Sequence, residues 1–357
     1  MTLTVEKAST AAAPRVRKPL ISKAPRSLWL MLAVAAIGIT VASTQSSYTV
    51  LVLNTALLAC IGALALNLLM GTAGQISIGN AAFLALGAFG AVFAQRAGWA
   101  FPVDVIFGTV VAALGGLVVA IPALRIRGLY LALVSLAATF IVAYVAHSYQ
   151  SSAVGEGAFI IEPVFRGGLL KAQQMWTWTL LPIVAVVIVM VSVLMRGKSG
   201  RTLRLIRDHE VVAGVVGVRV AGYKFGVFAF TSGLIGMQGA LSVHLLGSLS
   251  STTFTLVVAI SYVAMVFIGG IDTLWGPVIG AFVVIGLPLL IPQVFGVFGG
   301  ADSFEKYVPQ LTQIIYGGLV IVFATAVQGG LVGAVKRSVQ SWFNRRNARN
   351  AGGVLPQ

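Results

Sequence analysis

The polar side chains of Gln75, Ser77 and Asn80 stand at the start of an apolar run, in the stretch GTAGQISIGNAAFLALGAFGA at residues 71–91. Their amide and hydroxyl groups could form hydrogen bonds with a polar solute, and the neighbouring glycines permit irregular backbone. Amide groups are costly in hydrocarbon unless they are paired or hydrated. The alternatives are hydrogen bonding and close packing between helices, or a helix break beside a wet pathway, and the glycines favour the break. The candidate pathway residues are Gly74, Gln75, Ser77, Gly79 and Asn80.

A second group of polar residues lies in the stretch GKSGRTLRLIRDHEVVAGVVG at residues 197–217. Apolar residues recur there at helical spacing beside arginines, which predicts two short amphipathic helices joined near Asp208. We expect Asp208 to cap the second helix and Gly217 to end it. Such helices either lie on lipid headgroups or dock into a partner's groove, and the acidic Glu210 favours docking. The candidate docking residues are Arg201, Arg204, Arg207, Asp208, Glu210 and Gly217.

Ionisable residues within the apolar runs are few. Asp104 and Asp272 lie near the ends of runs, as do His147 and His244. Carriers coupled to protons usually place such groups in mid-membrane, so their scarcity argues against a proton-coupled pump, although sodium sites built from backbone carbonyls stay open. The three histidines and one cysteine show no metal-ligand spacing, and no catalytic constellation is present. We therefore expect a non-enzymatic protein with no catalytic residues, metal site or cofactor.

The composition is that of an integral membrane protein. Of the 357 residues, 58% are hydrophobic and only 9% are charged, whereas a soluble domain carries about 25% charged residues. The net charge of +15 could indicate a nucleic-acid-binding protein. The basic residues flank apolar runs instead of lining one face, so nucleic acid is not an expected partner.

Ten apolar runs are long enough to cross a bilayer as helices, which need about 20 residues each. The second and third runs have no polar loop between them and together are too long for one crossing at about 1.5 Å per residue. The chain must therefore turn near Gly71, and a broken helix is expected between Gly71 and Asn80. The runs are 28–44, 49–70, 71–95, 102–124, 128–147, 176–195, 225–246, 253–270, 275–295 and 307–327.

The distribution of lysine and arginine predicts the orientation. If the N-terminus is cytoplasmic and ten spans alternate, 20 of the 24 basic residues lie inside, as the positive-inside rule requires. The fold class is then an all-α membrane protein of about ten helices (eight to ten), with both termini cytoplasmic and lipid as a partner. The expected parts are a disordered basic tail 1–27, a permease domain 28–335 with a periplasmic loop 148–175 and a cytoplasmic coupling loop 196–224, and a basic tail 336–357.

Four long blocks carry a resemblance to a known family: ALNLLMGTAGQISIGNAAFLALGAFGA, IPALRIRGLYLALVSLA, GRTLRLIRDHEVVAGVVGVRVAGYKFGVFAFTSGLIGMQGALSVHLLG and VFIGGIDTLWGPVIGAF. They resemble, in order over about 49–335, the LivM-type permeases of branched-chain amino acid ABC importers. The resemblance implies a bacterial inner-membrane subunit that works with a second, LivH-type permease, two cytoplasmic ATPases and a periplasmic binding protein. It places the candidate docking residues in the ATPase-coupling segment and the candidate pathway residues in a pathway-proximal motif.

The cargo is left open by one departure from the family pattern. The family commonly has histidine where this sequence has Asn80, and related permeases carry urea, short amides or aromatic acids. A branched-chain or related small amino acid is the first expectation. A stand-alone secondary carrier or channel is the alternative from a different functional class.

Overall fold

The computed structural model describes residues 47–123, 128–165 and 168–297, together with residues 314, 317 and 318. Almost all of this part is helical, and a π-helix at Leu68–Thr72 continues the first helix. Two short strands, β1 (Phe159–Ile160) and β2 (Ser248–Leu249), pair in antiparallel register. The helices are α1 (Ser47–Asn67), α2 (Asn80–Arg96), α3 (Val103–Ala123), α4 (Leu129–Val154), α5 (Leu169–Arg196), α6 (Lys198–Asp208), α7 (Glu210–Val215), α8 (Val220–Leu246), α9 (Leu256–Gly269) and α10 (Gly276–Val297).

The long helices run between two ends of the bundle. The β1–β2 ribbon joins the chain that follows α4 to the chain that follows α8, and this end is called the ribbon end. The opposite end carries α6 and α7, and we call it the α6 end. There the π-helix that continues α1 and the loop between α9 and α10 both contact α6. Successive long helices therefore alternate in direction, as membrane-crossing helices must.

Five helices in the described part are long and apolar enough to span a membrane. They are Ser47–Thr72, Val103–Pro122, Tyr130–Val154, Leu169–Arg196 and Val220–Leu246. The apolar helices α2 and α9 are shorter, with 17 and 14 residues. These elements confirm the all-α membrane architecture, and eight of the ten predicted runs coincide with helices α1–α5 and α8–α10.

The structure corrects several predicted boundaries. The run 71–95 is helical only from Asn80, because the chain is irregular before it. The loop 148–175 is shorter than predicted, since α4 extends to Val154 and α5 begins at Leu169. The predicted run 28–44 and the tails 1–27 and 336–357 lie outside the described residues, as does 307–327 except for residues 314, 317 and 318.

The core is formed around α1 and α8. In the most apolar stretch of each of these helices 72% of the residues are buried, against 28% in α3 and α4. Small residues allow α2, α3 and α8 to approach closely, as is usual in membrane helix packing. A β-carbon added to Gly87 would lie 2.0 Å from the carbonyl oxygen of Gly236, and one added to Gly108 would lie 2.3 Å from that of Gly87. The core thus holds α2 firmly, including the polar residues at its start.

Candidate functional site

A break separates α1 from α2 at the α6 end. Helix α1 widens into the π-helix Leu68–Thr72, a form often found at functional sites, and residues 73–79 are not helical. We call 73–79 the break segment. It begins as a wide turn in which the backbone N–H of Gln75 donates to the carbonyl oxygen of Leu69 at 3.0 Å. The broken helix predicted between Gly71 and Asn80 is therefore present.

The break segment is fixed against α4. The backbone N–H of Ile78 donates to the hydroxyl of Ser135 on α4 at 2.9 Å. The hydroxyl of Ser77 accepts from the backbone N–H of Gly79 at 3.2 Å, so this side chain closes a local turn. Ser77 is buried, and a β-carbon on Gly79 would lie 3.1 Å from Ser135. These two candidate pathway residues shape the backbone that precedes α2.

The two amide side chains of the break are buried but incompletely bonded. Within the described part of the chain, Gln75 Oε1 and both amide atoms of Asn80 have no hydrogen-bond partner. More than 90% of buried polar groups in proteins are paired, so each such atom requires an explanation. Gln238 on α8 is similar, because its Oε1 has no partner there while its Nε2 donates to the hydroxyl of Tyr262. The bundle therefore contains amide atoms able to bond a solute, water or another chain.

Helices α6 and α7 lie where the sequence predicts two short amphipathic helices. The expectation that Asp208 caps α7 is wrong: His209 occupies the N-cap position, with no side-chain cap bond. Asp208 instead accepts from Nε of Arg207 at 2.9 Å, a charge-assisted hydrogen bond between neighbouring residues. This bond raises the pKa of the Arg207 guanidinium above its usual value. Gly217, with φ of +87°, follows the end of α7 as predicted.

Helix α7 turns its only acidic side chain inward and its valines outward. Glu210 accepts from Nζ of the buried Lys224 on α8 at 2.8 Å, which holds α7 against the bundle. Arg201 on the preceding helix is exposed. Four valines on and just after α7 are 49–83% exposed, an unusual arrangement for a polar end of a membrane protein. We call this surface the valine patch; its members are Val211, Val212, Val215 and Val216.

Asp272, in the loop between α9 and α10, connects α6 to the break. Its carboxylate lies 3.3 Å from Nη2 of Arg204 and 3.5 Å from Nη1 of Arg207, and it accepts from the hydroxyl of Thr72 at 3.2 Å. Arg207 also donates to the carbonyl oxygen of Gly71. The structure thus brings together two groups of residues that the sequence presents as separate. Sequence reasoning missed Asp272 as a site residue; its signal was an acid at the end of an apolar run.

Comparison with known proteins decides the family. The family described as "Branched-chain amino acid transport system / permease component" matches residues 48–324. The chain belongs to this family. The high-affinity branched-chain amino acid transport permease LivM of Escherichia coli K12 is 25% identical over 248 residues, and that of Salmonella typhimurium LT2 is 24% identical. Each alignment covers 62% of this chain and 58% of the relative, so it spans less than two thirds of either relative. No solved structure matches.

The permease also contains a buried ionisable pair at its ribbon end. Nε2 of His244 on α8 lies 2.6 Å from Oδ2 of Asp104 at the start of α3. Their side chains are 2% and 0% exposed. Phe101 packs edge-on against the imidazole, and the other carboxylate oxygen accepts from the backbone N–H of Val105. This pair joins two helices of the core. The described residues contain no group of three potential metal ligands.

Proposed function

We propose that this permease is one membrane subunit of an ATP-driven importer for branched-chain or related small amino acids. Its partners are a second, LivH-type permease, two cytoplasmic ATPases and a periplasmic binding protein that delivers the cargo. The family match over residues 48–324 carries the proposal. In this arrangement the chain crosses a bacterial inner membrane several times, with the α6 end in the cytoplasm.

The break supplies groups suited to a zwitterion. Asn80 begins α2, and a helix N-terminus carries partial positive charge that favours a carboxylate. The amide atoms of Asn80 and Gln75 offer neutral donors and acceptors beside it. Broken helices that present such termini are a common way for membrane transporters to meet charged substrates without fixed charges. The proposed pathway residues are therefore Gly74, Gln75, Ser77, Gly79 and Asn80.

The valine patch supports ATPase docking at the α6 end. Exposed apolar groups bounded by charges mark protein contact sites. The pair of Arg207 and Asp208 ends the helix just before the patch, and Arg201 on the same helix is exposed. Glu210 orients the patch by holding α7 to Lys224. We assign Arg201, Arg204, Arg207, Asp208, Glu210 and Gly217 to the coupling segment on this basis.

Reconstitution tests the proposed function. The complete complex in liposomes, supplied with binding protein and internal ATP, should accumulate radiolabelled leucine in preference to urea, acetamide and phenylalanine. Preferential uptake of one of the other three solutes would contradict the proposed cargo and identify that solute as the cargo instead. Transport by the single chain without ATPases would overturn the importer and identify a stand-alone carrier or channel.

Replacing Val215 with glutamate should reduce the co-purification of the ATPase subunits by about tenfold or more. The substitution puts a charge in the centre of an apolar contact, and the expected tenfold loss of affinity corresponds to about 1.4 kcal/mol. The measurement is the ratio of ATPase to permease after affinity purification in detergent.

Val154→Glu is the matched control, because Val154 is an exposed valine at the ribbon end. It should leave the subunit ratio unchanged. If Val215→Glu instead preserves the subunit ratio but reduces the fraction of α7 that the membrane protects from protease cleavage, the patch binds lipid and the docking role is wrong.

A further inference from the structure

Asp272 joins three parts of the permease that are distant in sequence. Its carboxylate contacts the guanidinium groups of Arg204 and Arg207 on α6 and the hydroxyl of Thr72 in the π-helix. Its own backbone lies between α9 and α10. One carboxylate therefore faces two guanidinium groups and a hydroxyl. Because these donors come from α6 on one side and from the π-helix before the break segment on the other, Asp272 connects the two, beside the direct bond from Arg207 to the carbonyl oxygen of Gly71.

The two sides of the contact differ in strength. Buried Asn67, at the end of α1, accepts from the backbone N–H of Asp272 at 3.0 Å and donates to the carbonyl oxygen of Thr273 at 2.8 Å. This reciprocal pair fixes Asp272 to α1. The arginine contacts are longer, and the side chains of Arg204 and Asp272 are about one-third exposed at 33% and 29%. Partly exposed ion pairs of this kind contribute little stability, so they can open and close within a cycle.

Glycines allow the backbone to approach Asp272 and Arg207 closely. A β-carbon at Gly71 would lie 2.6 Å from the backbone nitrogen of Asp272, and one at Gly74 would lie 2.3 Å from Cγ of Arg207. Gly74 also has φ of +68°, which L side chains rarely adopt. A cavity of about 260 Å³ borders the contact, lined in part by Arg204, Asp272 and Trp275. Arg204 therefore has room to separate from the carboxylate, whereas Arg207 packs against Gly74.

We propose that Asp272 is a positioning residue that transmits the movement of α6 to the break segment 73–79. This inference rests on the proposed function, in which ATPases move α6. When the arginines hold Asp272, the π-helix and the break segment follow α6. When they release it, the break segment relaxes against α4, where Ile78 stays bonded to Ser135. Asp272 touches neither cargo nor nucleotide in this role.

Replacing Asp272 with asparagine tests the role without straining the backbone. Asp272 has φ of +57°, and asparagine tolerates this region as well as aspartate does. The variant complex should keep its ATPase subunits, its melting temperature and its ATP hydrolysis. The amount of leucine transported per ATP hydrolysed should fall about fivefold or more, the lower end of typical coupling between linked sites. Normal stoichiometry, or loss of the ATPase subunits, would overturn the transmission role.

A double-mutant cycle identifies the partner. Arg204→Gln should lower the stoichiometry as Asp272→Asn does, and the double variant should be no worse than the more affected single variant. Additive losses contradict a shared contact. Glu156→Gln, which neutralises an exposed acid at the ribbon end, is the matched control and should behave as the unaltered chain.

A distance measurement separates this inference from the proposed cargo. Spin labels at Thr202 on α6 and Ile76 in the break segment, in a Cys60→Ala background, report whether the two move together. The distribution of distances between the two labels should stay narrow with and without ATP in the unaltered chain. It should broaden in Asp272→Asn. Equal distributions in both would overturn the inference. An unaltered complex that shows the narrow distance but fails to import leucine contradicts only the proposed cargo.

Discussion

Replacing His244 with leucine is expected to lower the free energy of unfolding of the permease by about 3–5 kcal/mol, the usual cost of removing one partner from a buried ionisable pair. The imidazole lies 2.6 Å from Asp104, and neither side chain has appreciable exposure. Leucine has a similar volume but no donor, so the carboxyl oxygen of Asp104 loses its partner inside the protein. Reversible denaturation in mixed micelles measures the change.

Two variants make this prediction specific. Asp104→Asn keeps one oxygen that can accept from the backbone N–H of Val105 and puts an NH₂ group, which can donate to Nε2 of a neutral imidazole, in place of the other oxygen, so its cost should be only about 1 kcal/mol. His147→Leu removes an exposed histidine from α4 and should cost less than about 0.5 kcal/mol. If His244→Leu and His147→Leu are equally mild, the pair does not stabilise the contact between α3 and α8.

The sequence correctly predicts the features of the architecture that depend on interactions between residues close together in the chain. Apolar run lengths specify membrane helices, and eight of the predicted runs correspond to described helices. The glycines between Gly71 and Asn80 correctly indicate a break, since two crossings need a turn between them. The amphipathic spacing of 197–217 correctly indicates two short helices. Each of these features depends on residues that are neighbours in the chain.

The contacts of the site could not be predicted in the same way. Arg204 and Asp272 are 68 residues apart, and Asp104 and His244 are 140 residues apart. Nothing in one sequence specifies which distant charges pair, because the pairing depends on how the helices pack. The predicted cap failed for a different, local reason: the carboxylate of Asp208 accepts from the adjacent Arg207. The two predicted sites are connected by long-range electrostatics through Asp272, which only the folded chain reveals.

Replacing Asn80 with leucine should leave the permease at least as stable as before and reduce leucine uptake by about tenfold or more. The side chain is buried, and both of its amide atoms lack partners within the described residues. An unsatisfied buried polar group costs about 1–3 kcal/mol, so an apolar side chain of similar size should recover part of that cost. A residue that costs stability is expected at functional sites, where activity requires it.

The combination of the two readouts distinguishes the possible roles of Asn80. Stability is measured by denaturing the single chain in mixed micelles, and leucine uptake is measured with the reconstituted complex. If leucine lowers stability and uptake together, Asn80 forms a structural hydrogen bond within the permease chain itself. If uptake is normal, Asn80 does not serve the pathway. Asn54→Leu is the informative comparison: buried Asn54 accepts from Thr177 at 2.7 Å and donates to Gln173 at 2.9 Å, so its loss should destabilise the bundle. A satisfied amide and an unsatisfied one should thus respond to the same substitution with opposite changes in stability, and a loss of uptake without a loss of stability is expected only for Asn80.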